Sequence, residues 1–403
     1  MEIVKLSLSG FCNIKQFDIS LTDFNALVAP NNYGKSNVLE GIMFAFRYIS
    51  ASEEHRKSMM NDASFIPINV ATSGMPFRFA IELKECTDND SVTYNYEFGF
   101  EWAKTNGEQG AYIISESLTE RSSGSRRQHM LIKREKGNGG FYVPSHTGRC
   151  NKEANATNIQ MVINLLSNND GLYYSNAIRQ LNALSMSMVG SPNFDKQGLC
   201  GFVYNLREQH PERYSLFENA VEQIVPGIQS IIPTCSRLGL EKSSIPYRVD
   251  DAIYDIRVNE SSNNQDISIS RLSSGSRRII AIIADIIKAE MAGCSIICME
   301  ELENSVHPKL LEDMILLVKS FAEGVKVIIT SHSPYLVRYL KSRNLIFGLQ
   351  SESNVAMFRK IKKSKVKRVM QCANAMEQTL GEYMFELMLE MDKDADEIDE
   401  LFE

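Results

Sequence analysis

Residues 29–36 read Ala29-Pro30-Asn31-Asn32-Tyr33-Gly34-Lys35-Ser36, a turn between an apolar strand and a helix. Ahead of it, Phe24–Val28 is an apolar, strand-like run; behind it, Val38, Ile42, Phe46 and Ile49 recur at helical spacing. A strand, a glycine-containing turn and a helix opened by Lys-Ser match the phosphate-binding pattern GxxxxGK[ST]. In such a turn, backbone N–H groups and the positive end of the helix gather around an anion. Lys35 then neutralises the terminal phosphates, and Ser36 offers a hydroxyl to Mg²⁺. Pro30, Asn31, Asn32, Tyr33, Gly34 and Asn37 complete the candidate nucleotide-binding set. One position departs from the pattern: Ala29 stands where the first glycine is expected. A methyl fits there if the local φ is negative, at the risk of tightening the loop.

Four further elements follow in order. Leu272-Ser273-Ser274-Gly275-Ser276, then Arg277-Arg278, opens another helix. A serine hydroxyl, a glycine N–H and the helix dipole all favour an anion there, although an ordinary Ser-rich N-cap reads the same way. Cys294–Met299 is an apolar strand that delivers Glu300 and Glu301 to its end. Two carboxylates in that position are costly unless they meet a cation or ordered water. Next come Glu303-Asn304-Ser305-Val306-His307-Pro308, in which His307 reads as a helix-entry residue. The last element is Val327–Ile329 running into Thr330-Ser331-His332-Ser333-Pro334. A histidine at such a strand end can hydrogen-bond a terminal phosphate and sense its loss.

Together the five elements resemble the ABC-type ATPases of the SMC, RecF and OLD-like branch, including ATPase subunits of bacterial abortive-infection and anti-phage systems. The Ser-rich turn is similar to the LSGGQ signature, and TSHSP to the switch-histidine segment. The likeness is good over about residues 1–50 and 265–350 and looser between them. It implies an α/β P-loop NTPase of ABC-head type, with a mostly parallel core sheet, an antiparallel β lobe and a helical insertion. It also implies ATP and Mg²⁺ as ligands. Ser273, Ser274 and Gly275 would contact the γ-phosphate held by another subunit, while Ser36 and Glu300 support Mg²⁺. Glu301 would orient the attacking water and His332 would sense the γ-phosphate. Glu300 stands where the family usually has Asp. Gln128 is a candidate for the Q-loop residue.

The expected assembly is a homodimer or higher homo-oligomer around an ATP sandwich. Only 71 residues follow His332, fewer than a Toprim nuclease domain requires, so a separate effector such as a nuclease or toxin is expected. Two alternatives stay open. Ala29 and Glu300 motivate a non-hydrolysing nucleotide-gated scaffold, and the RecF likeness motivates a DNA-repair ATPase.

The 403 residues, 43% hydrophobic and 23% charged, are enough for a large core. No apolar run approaches the roughly eighteen residues a bilayer crossing needs, and Met1–Phe11 lacks the apolar block of a secretory signal. The eight cysteines are scattered without a CxxC pair, which points away from zinc and towards reduced thiols in a cytoplasmic protein. Cys294 and Cys298 read as buried thiols. A formal charge of −7 weighs against a nucleic-acid coat, yet residues 359–368 are strongly basic and 392–403 strongly acidic. The basic run can bind nucleic-acid phosphates, form a solvated face, or pair with the acidic tail.

Residues 51–75 read as loop. Period-two alternation predicts strands at 77–83 and 92–100, with others near 112–118, 129–134 and 141–143. From 157 to 226 the pattern is helical, with Tyr214, Phe217, Val221 and Ile224 in one stripe after Pro211. Leu380, Met384, Leu387, Met388 and Met391 form another stripe, which packs on its own chain or serves as a Met-rich docking helix. These shifts divide the chain at 1–150, 151–262, 263–358 and 359–403.

Overall fold

The elements follow the expected patterns except at a helix within residues 51–75 and a short strand within the stretch read as helical. A computed structural model describes all residues except 87–90, 104–112, 126, 136–140, 145–150, 155–174, 191–195, 238–251, 305, 323, 351–353, 390–399 and 403. The first part of the helical run, Met391 and most of the acidic tail lie outside the described residues.

Strands β1 (Glu2–Ser9), β2 (Ile14–Ser20) and β3 (Phe24–Val28) lead into α1 (Lys35–Ser50). A helix, α2 (Glu53–Met60), then occupies part of the segment that reads as loop. Its apolar periodicity is weak. The Ser52 hydroxyl accepts from His55 N, Glu53 and Glu54 fill the first turn, and Arg56 is 1% exposed. Then follow β4 (Phe77–Cys86), β5 (Ser91–Phe100), β6 (Ile113–Ser122), β7 (His129–Glu135), β8 (Phe141–Pro144), β9 (Asn151–Ala154) and α3 (Ser175–Asn182).

A short strand, β10 (Met186–Val189), interrupts the stretch expected to be helical. It precedes α4 (Lys196–Gln209), α5 (Pro211–Ile224), β11 (Ile228–Arg237), β12 (Ala252–Glu260) and β13 (Ile267–Ser268). The chain continues through α6 (Ser274–Met291), β14 (Ile296–Glu300), α7 (Pro308–Phe321), β15 (Lys326–Ser331) and α8 (Pro334–Val337). It ends with β16 (Leu345–Gln350), β17 (Ala356–Arg359), α9 (Val366–Ala375) and α10 (Leu380–Leu389).

The chain forms two compact units. The first comprises Met1–Met186 and Lys326–Glu403, the second Ser187–Val325. In the first, the strand order is β15-β3-β16-β17-β2-β1-β4-β5-β6-β7-β8-β9. The pairs β15/β3, β3/β16 and β17/β2 are parallel; β16/β17 and every pair from β2/β1 to β8/β9 are antiparallel. The core is therefore mixed, parallel where the motif-bearing strands lie and antiparallel in the lobe.

An aromatic cluster fills the space between α1 and the lobe. Phe44 lies 5.2 Å from Phe77 and 5.6 Å from Trp102, and Tyr48 stacks on Phe98 at 4.8 Å. Trp102, the single tryptophan, donates its indole N–H to Gly10 O at 2.7 Å. Beside the cluster lies a buried ionic group. Arg56 caps the end of α1 by donating to Tyr48 O and Ile49 O, both at 2.9 Å, and pairs with Glu116 at 3.3 Å. Burial opposes the charge on Arg56, but Glu116, Tyr96 and Tyr48 together hold the guanidinium above its ordinary value.

The basic segment is partly used within the chain. Lys360 donates to Ser20 O and Arg343 O, and Lys362 and Lys365 reach Glu400. The stripe on α10 packs on its own unit, with Met384 and Met388 buried and the helix lying against α8.

In the second unit, β10 and β14 are neighbours and β11-β12-β13 form an antiparallel sheet. Tyr214, Phe217, Val221 and Ile224 are buried on α5, which Pro211 opens. Helix α6 turns Ile279, Ile280, Ile282, Ile283, Ile286 and Ile287 inward. The described cysteines are free thiols; Cys298 is buried and Cys294 half-buried. Among the described residues no helix is long and apolar enough to cross a membrane.

Candidate functional site

In the first unit, the phosphate-loop residues follow from how β3 ends. All five residues of β3 are buried between parallel neighbours, with Val28 opposite Ser331 of β15 and Phe347 of β16. Ala29 N continues the ladder by donating to Ser331 O at 3.2 Å. Ala29 is fully buried, and its φ is not among the positive ones. Its methyl faces Gly348, where an added Cβ would lie 2.7 Å away. A glycine on β16 thus leaves room for the methyl that departs from the pattern.

Gly34 is required twice over. Its φ is +80°, and a Cβ would sit 2.8 Å from Ala356 Cβ and 2.9 Å from Asn13 Oδ1. Asn32 also takes a positive φ, 65°, which asparagine tolerates better than most residues. Lys35 is buried, and its Nζ donates to the carbonyls of Ala29 (2.8 Å) and Pro30 (2.9 Å). Helix α1 starts with no side-chain cap and no acidic residue in its first turn to offset its positive end. Pro30, Tyr33 and Asn37 are half-buried, and Asn31, Asn32 and Ser36 are exposed. Asn37 donates to Asn13 Oδ1 at 2.8 Å, and the Tyr33 hydroxyl to Met388 O at 3.4 Å.

The turn at residues 330–334 leaves the neighbouring strand at the same end. β15 is buried throughout, and His332, the next residue, is exposed. Ser331 Oγ accepts from Ser333 N at 3.0 Å, and Ser333 caps α8 by accepting from Tyr335 N at 3.3 Å. Because β3 and β15 run parallel in register, the structure brings the phosphate loop and His332 together. Gln128 lies instead on the antiparallel lobe, where it donates to Thr119 Oγ1.

The second unit holds the remaining predicted residues. Ile296–Met299 are buried and Glu300 half-buried at the end of β14. Glu301 adopts φ +49°, a left-handed conformation that costs a glutamate about 1–3 kcal/mol and persists only when its surroundings impose it. Three donors do so. Arg278 Nη2 donates to Glu300 O (2.9 Å) and Glu301 O (2.8 Å), and Asn304 N donates to Glu301 O at 2.8 Å. Asn304 Nδ2 also reaches Glu301 Oε2 at 3.4 Å.

Sequence reasoning noted Arg278 only as part of the Arg277-Arg278 pair. Its reach to those carbonyls depends on tertiary placement that spacing does not encode. Burial pulls its guanidinium below the ordinary value, while Glu301 and Glu303 act in the opposite sense. Ser273 is the N-cap of α6, accepting from Ser276 N at 3.1 Å. Ser273 and Ser274 are exposed, and Gly275 is half-buried. His307 caps α7, its Nδ1 accepting from Lys309 N at 3.3 Å, as a helix-entry residue does.

The donor chemistry fits a polyphosphate. An uncapped helix start, a left-handed glycine whose Cβ position is filled by neighbours, a lysine and a serine hydroxyl stand in one loop of the first unit. Among the described residues no group of three His, Cys, Asp or Glu side chains is gathered to hold a metal. The predicted Mg²⁺ supports, Ser36 and Glu300, belong one to each unit.

Over 150 residues the chain is 24% identical to the Retron Ec83 probable ATPase of Escherichia coli, a match covering 35% of this chain and 26% of that protein. The match spans about a quarter of that relative's length. An SMC head domain from Thermotoga maritima is similar at TM-score 0.44 and 13% identity, covering 90% of this chain and 100% of that one. A Smc head domain bound to the C-terminal domain of ScpA, derived from Pyrococcus furiosus, is similar at TM-score 0.47 and 11% identity, covering 93% and 99%. The family described as "AAA domain, putative AbiEii toxin, Type IV TA system" matches residues 24–338, more than half of the chain, and the chain belongs to that family.

Proposed function

We propose that the chain is an ATP-binding and ATP-hydrolysing subunit of ABC type, a nucleotide-driven switch that controls a separate effector in anti-phage defence. The observation that carries this reading is the phosphate loop itself: Gly34 left-handed, Lys35 folded back on the loop carbonyls, and His332 exposed at the end of the adjacent parallel strand. Family membership and the likeness to a retron ATPase support the defence setting.

In this reading, residues 30–37 bind the triphosphate of ATP, with Lys35 leaving its carbonyl partners for phosphate oxygens. Ser273, Ser274 and Gly275 of a second copy close on the same γ-phosphate, so two chains enclose two nucleotides. Glu301 orients the attacking water and takes up its proton, while His332 hydrogen-bonds the γ-phosphate until it departs. Ser36 and Glu300 would support Mg²⁺, which would supply charge neutralisation at the phosphate oxygens. Contacts to the γ-phosphate exist only before hydrolysis, which gives the two states the differential affinity a switch requires. The effector is a separate nuclease or toxin.

Purified protein is expected to release phosphate from ATP, and Glu301→Gln to cut turnover by about 10²-fold or more while retaining an ATP-bound assembly. Folded protein that binds no ATP in the presence of Mg²⁺ refutes the proposal. Turnover unchanged by Glu301→Gln removes that residue from the chemistry.

A further inference from the structure

We infer that Arg278 is a positioning residue that makes the posture of Glu301 depend on the signature turn of the same chain. The inference rests on the function proposed above and deepens it. Ser273 caps α6, and Arg278 lies on that helix little more than a turn further on. From there one guanidinium nitrogen spans two successive carbonyls, Glu300 O at 2.9 Å and Glu301 O at 2.8 Å. These carbonyls flank the bend at which Glu301 takes its positive φ. Its carbonyl also accepts from Asn304 N, and its carboxylate from Asn304 Nδ2.

Helix α6 presents a long buried isoleucine face, so a displacement at its N-terminus is carried by a stiff element rather than absorbed locally. A ligand anion that draws in Ser273 and Ser274 therefore moves the guanidinium that holds Glu301. The consequence is a gate. A carboxylate that acts on the nucleotide of its own chain is correctly set only when the signature of that chain is engaged elsewhere. Hydrolysis at the two sites of a dimer becomes mutually dependent, and an isolated subunit stays slow. The guanidinium suits this role because the two N–H bonds of that one nitrogen point in fixed directions in the guanidinium plane, whereas the protons of a lysine ammonium rotate freely on its stem.

The test is steady-state ATP hydrolysis by the full chain carrying Arg278→Gln, Arg278→Lys, Ser273→Ala, or Ser273→Ala with Arg278→Gln. Arg278→Gln is expected to lower kcat by about 10- to 100-fold, the scale of a small misplacement of a catalytic group, with KM for ATP within about twofold of wild type. Arg278→Lys keeps a cation and falls between the two. Ser273→Ala lowers kcat in both backgrounds, since it also loses the γ-phosphate contact, but by a smaller factor once Arg278 is replaced, because part of its effect runs through that linkage.

Folded Arg278→Gln and Arg278→Lys variants with wild-type kcat overturn the inference and leave the ATPase reading intact. So do kcat losses that multiply independently in the double variant, or a fall in kcat matched by lost ATP affinity. If Arg278→Gln does not fold, Arg278→Lys alone decides by the same split of kcat from KM. Wild-type protein that binds no ATP defeats the underlying reading instead.

Discussion

The contact between Ala29 and Gly348 makes a sharp prediction about why this phosphate loop tolerates an alanine. Gly348→Ala places a new methyl 2.7 Å from Ala29 Cβ and 2.9 Å from Phe358 Cε1, both inside normal contact. Overpacking of this kind costs about 1–3 kcal/mol. Ala29→Gly alone removes one buried methyl, worth about 0.8 kcal/mol, and adds up to about 1 kcal/mol of chain entropy. In the double variant the 2.7 Å clash no longer exists, while the 2.9 Å approach to the buried Phe358 ring remains. Replacing Gly348 then costs less, so the two changes couple favourably by about 1–2 kcal/mol.

The clash also bears on the site, because Lys35 Nζ is held by the Ala29 carbonyl. ATP affinity is expected to fall in Gly348→Ala and to recover in the double variant. Urea unfolding of the four proteins, with equal m-values, gives the coupling; equilibrium ATP binding gives the second reading. Additivity within about 0.5 kcal/mol would contradict a steric contact between Ala29 and residue 348. An ATP affinity that ignores Gly348→Ala would refute the link from that contact to Lys35.

Two other outcomes follow from buried charges. Arg56→Met leaves Glu116 without its nearest cation and uncaps the last carbonyls of α1, and it is expected to cost about 3–5 kcal/mol in urea unfolding; a loss under about 1 kcal/mol contradicts the burial argument. Asp285 on α6 accepts from Gly190 N at 3.2 Å, and burial raises its carboxyl above the ordinary value against the pull of that bond and of Lys288. The folded state thus binds this proton more tightly than the unfolded one, so Asp285 is a penalty at neutral pH that fades as pH falls through its raised value towards the usual carboxylate range. Asp285→Asn keeps an acceptor and is expected to raise Tm at pH 7, with an advantage that shrinks on acidification; a pH-independent difference contradicts this.

Much of the local structure around the candidate site could be read from the chain alone because its parts are local. Strand, turn and helix around Gly34 occupy one short window, and so do the apolar run before Glu300-Glu301 and the TSHSP turn. Each is set by periodicity and one or two special residues. What escaped reading was tertiary. Helix α2 lies in text that looks like loop because its anchor is a buried arginine, a residue that binary pattern counts as surface. β10 has few residues and little inward-facing apolar surface, too weak a period to break a helical reading. The reach of Arg278 to two carbonyls has no signature in spacing, since a backbone acceptor carries no residue identity. Likewise the tolerance of Ala29 rests on a glycine far along the chain.

The seat of Trp102 has a consequence for spectroscopy. With a single indole, lodged among Phe44, Phe77 and Phe100 in the first unit, intrinsic emission reports melting of that aromatic cluster, while residues 187–325 contribute no tryptophan signal. Far-ultraviolet circular dichroism sees helices of both units. Coincident fluorescence and dichroism transitions would mean that the units melt as one cooperative body, and separated transitions would give each its own midpoint without any label.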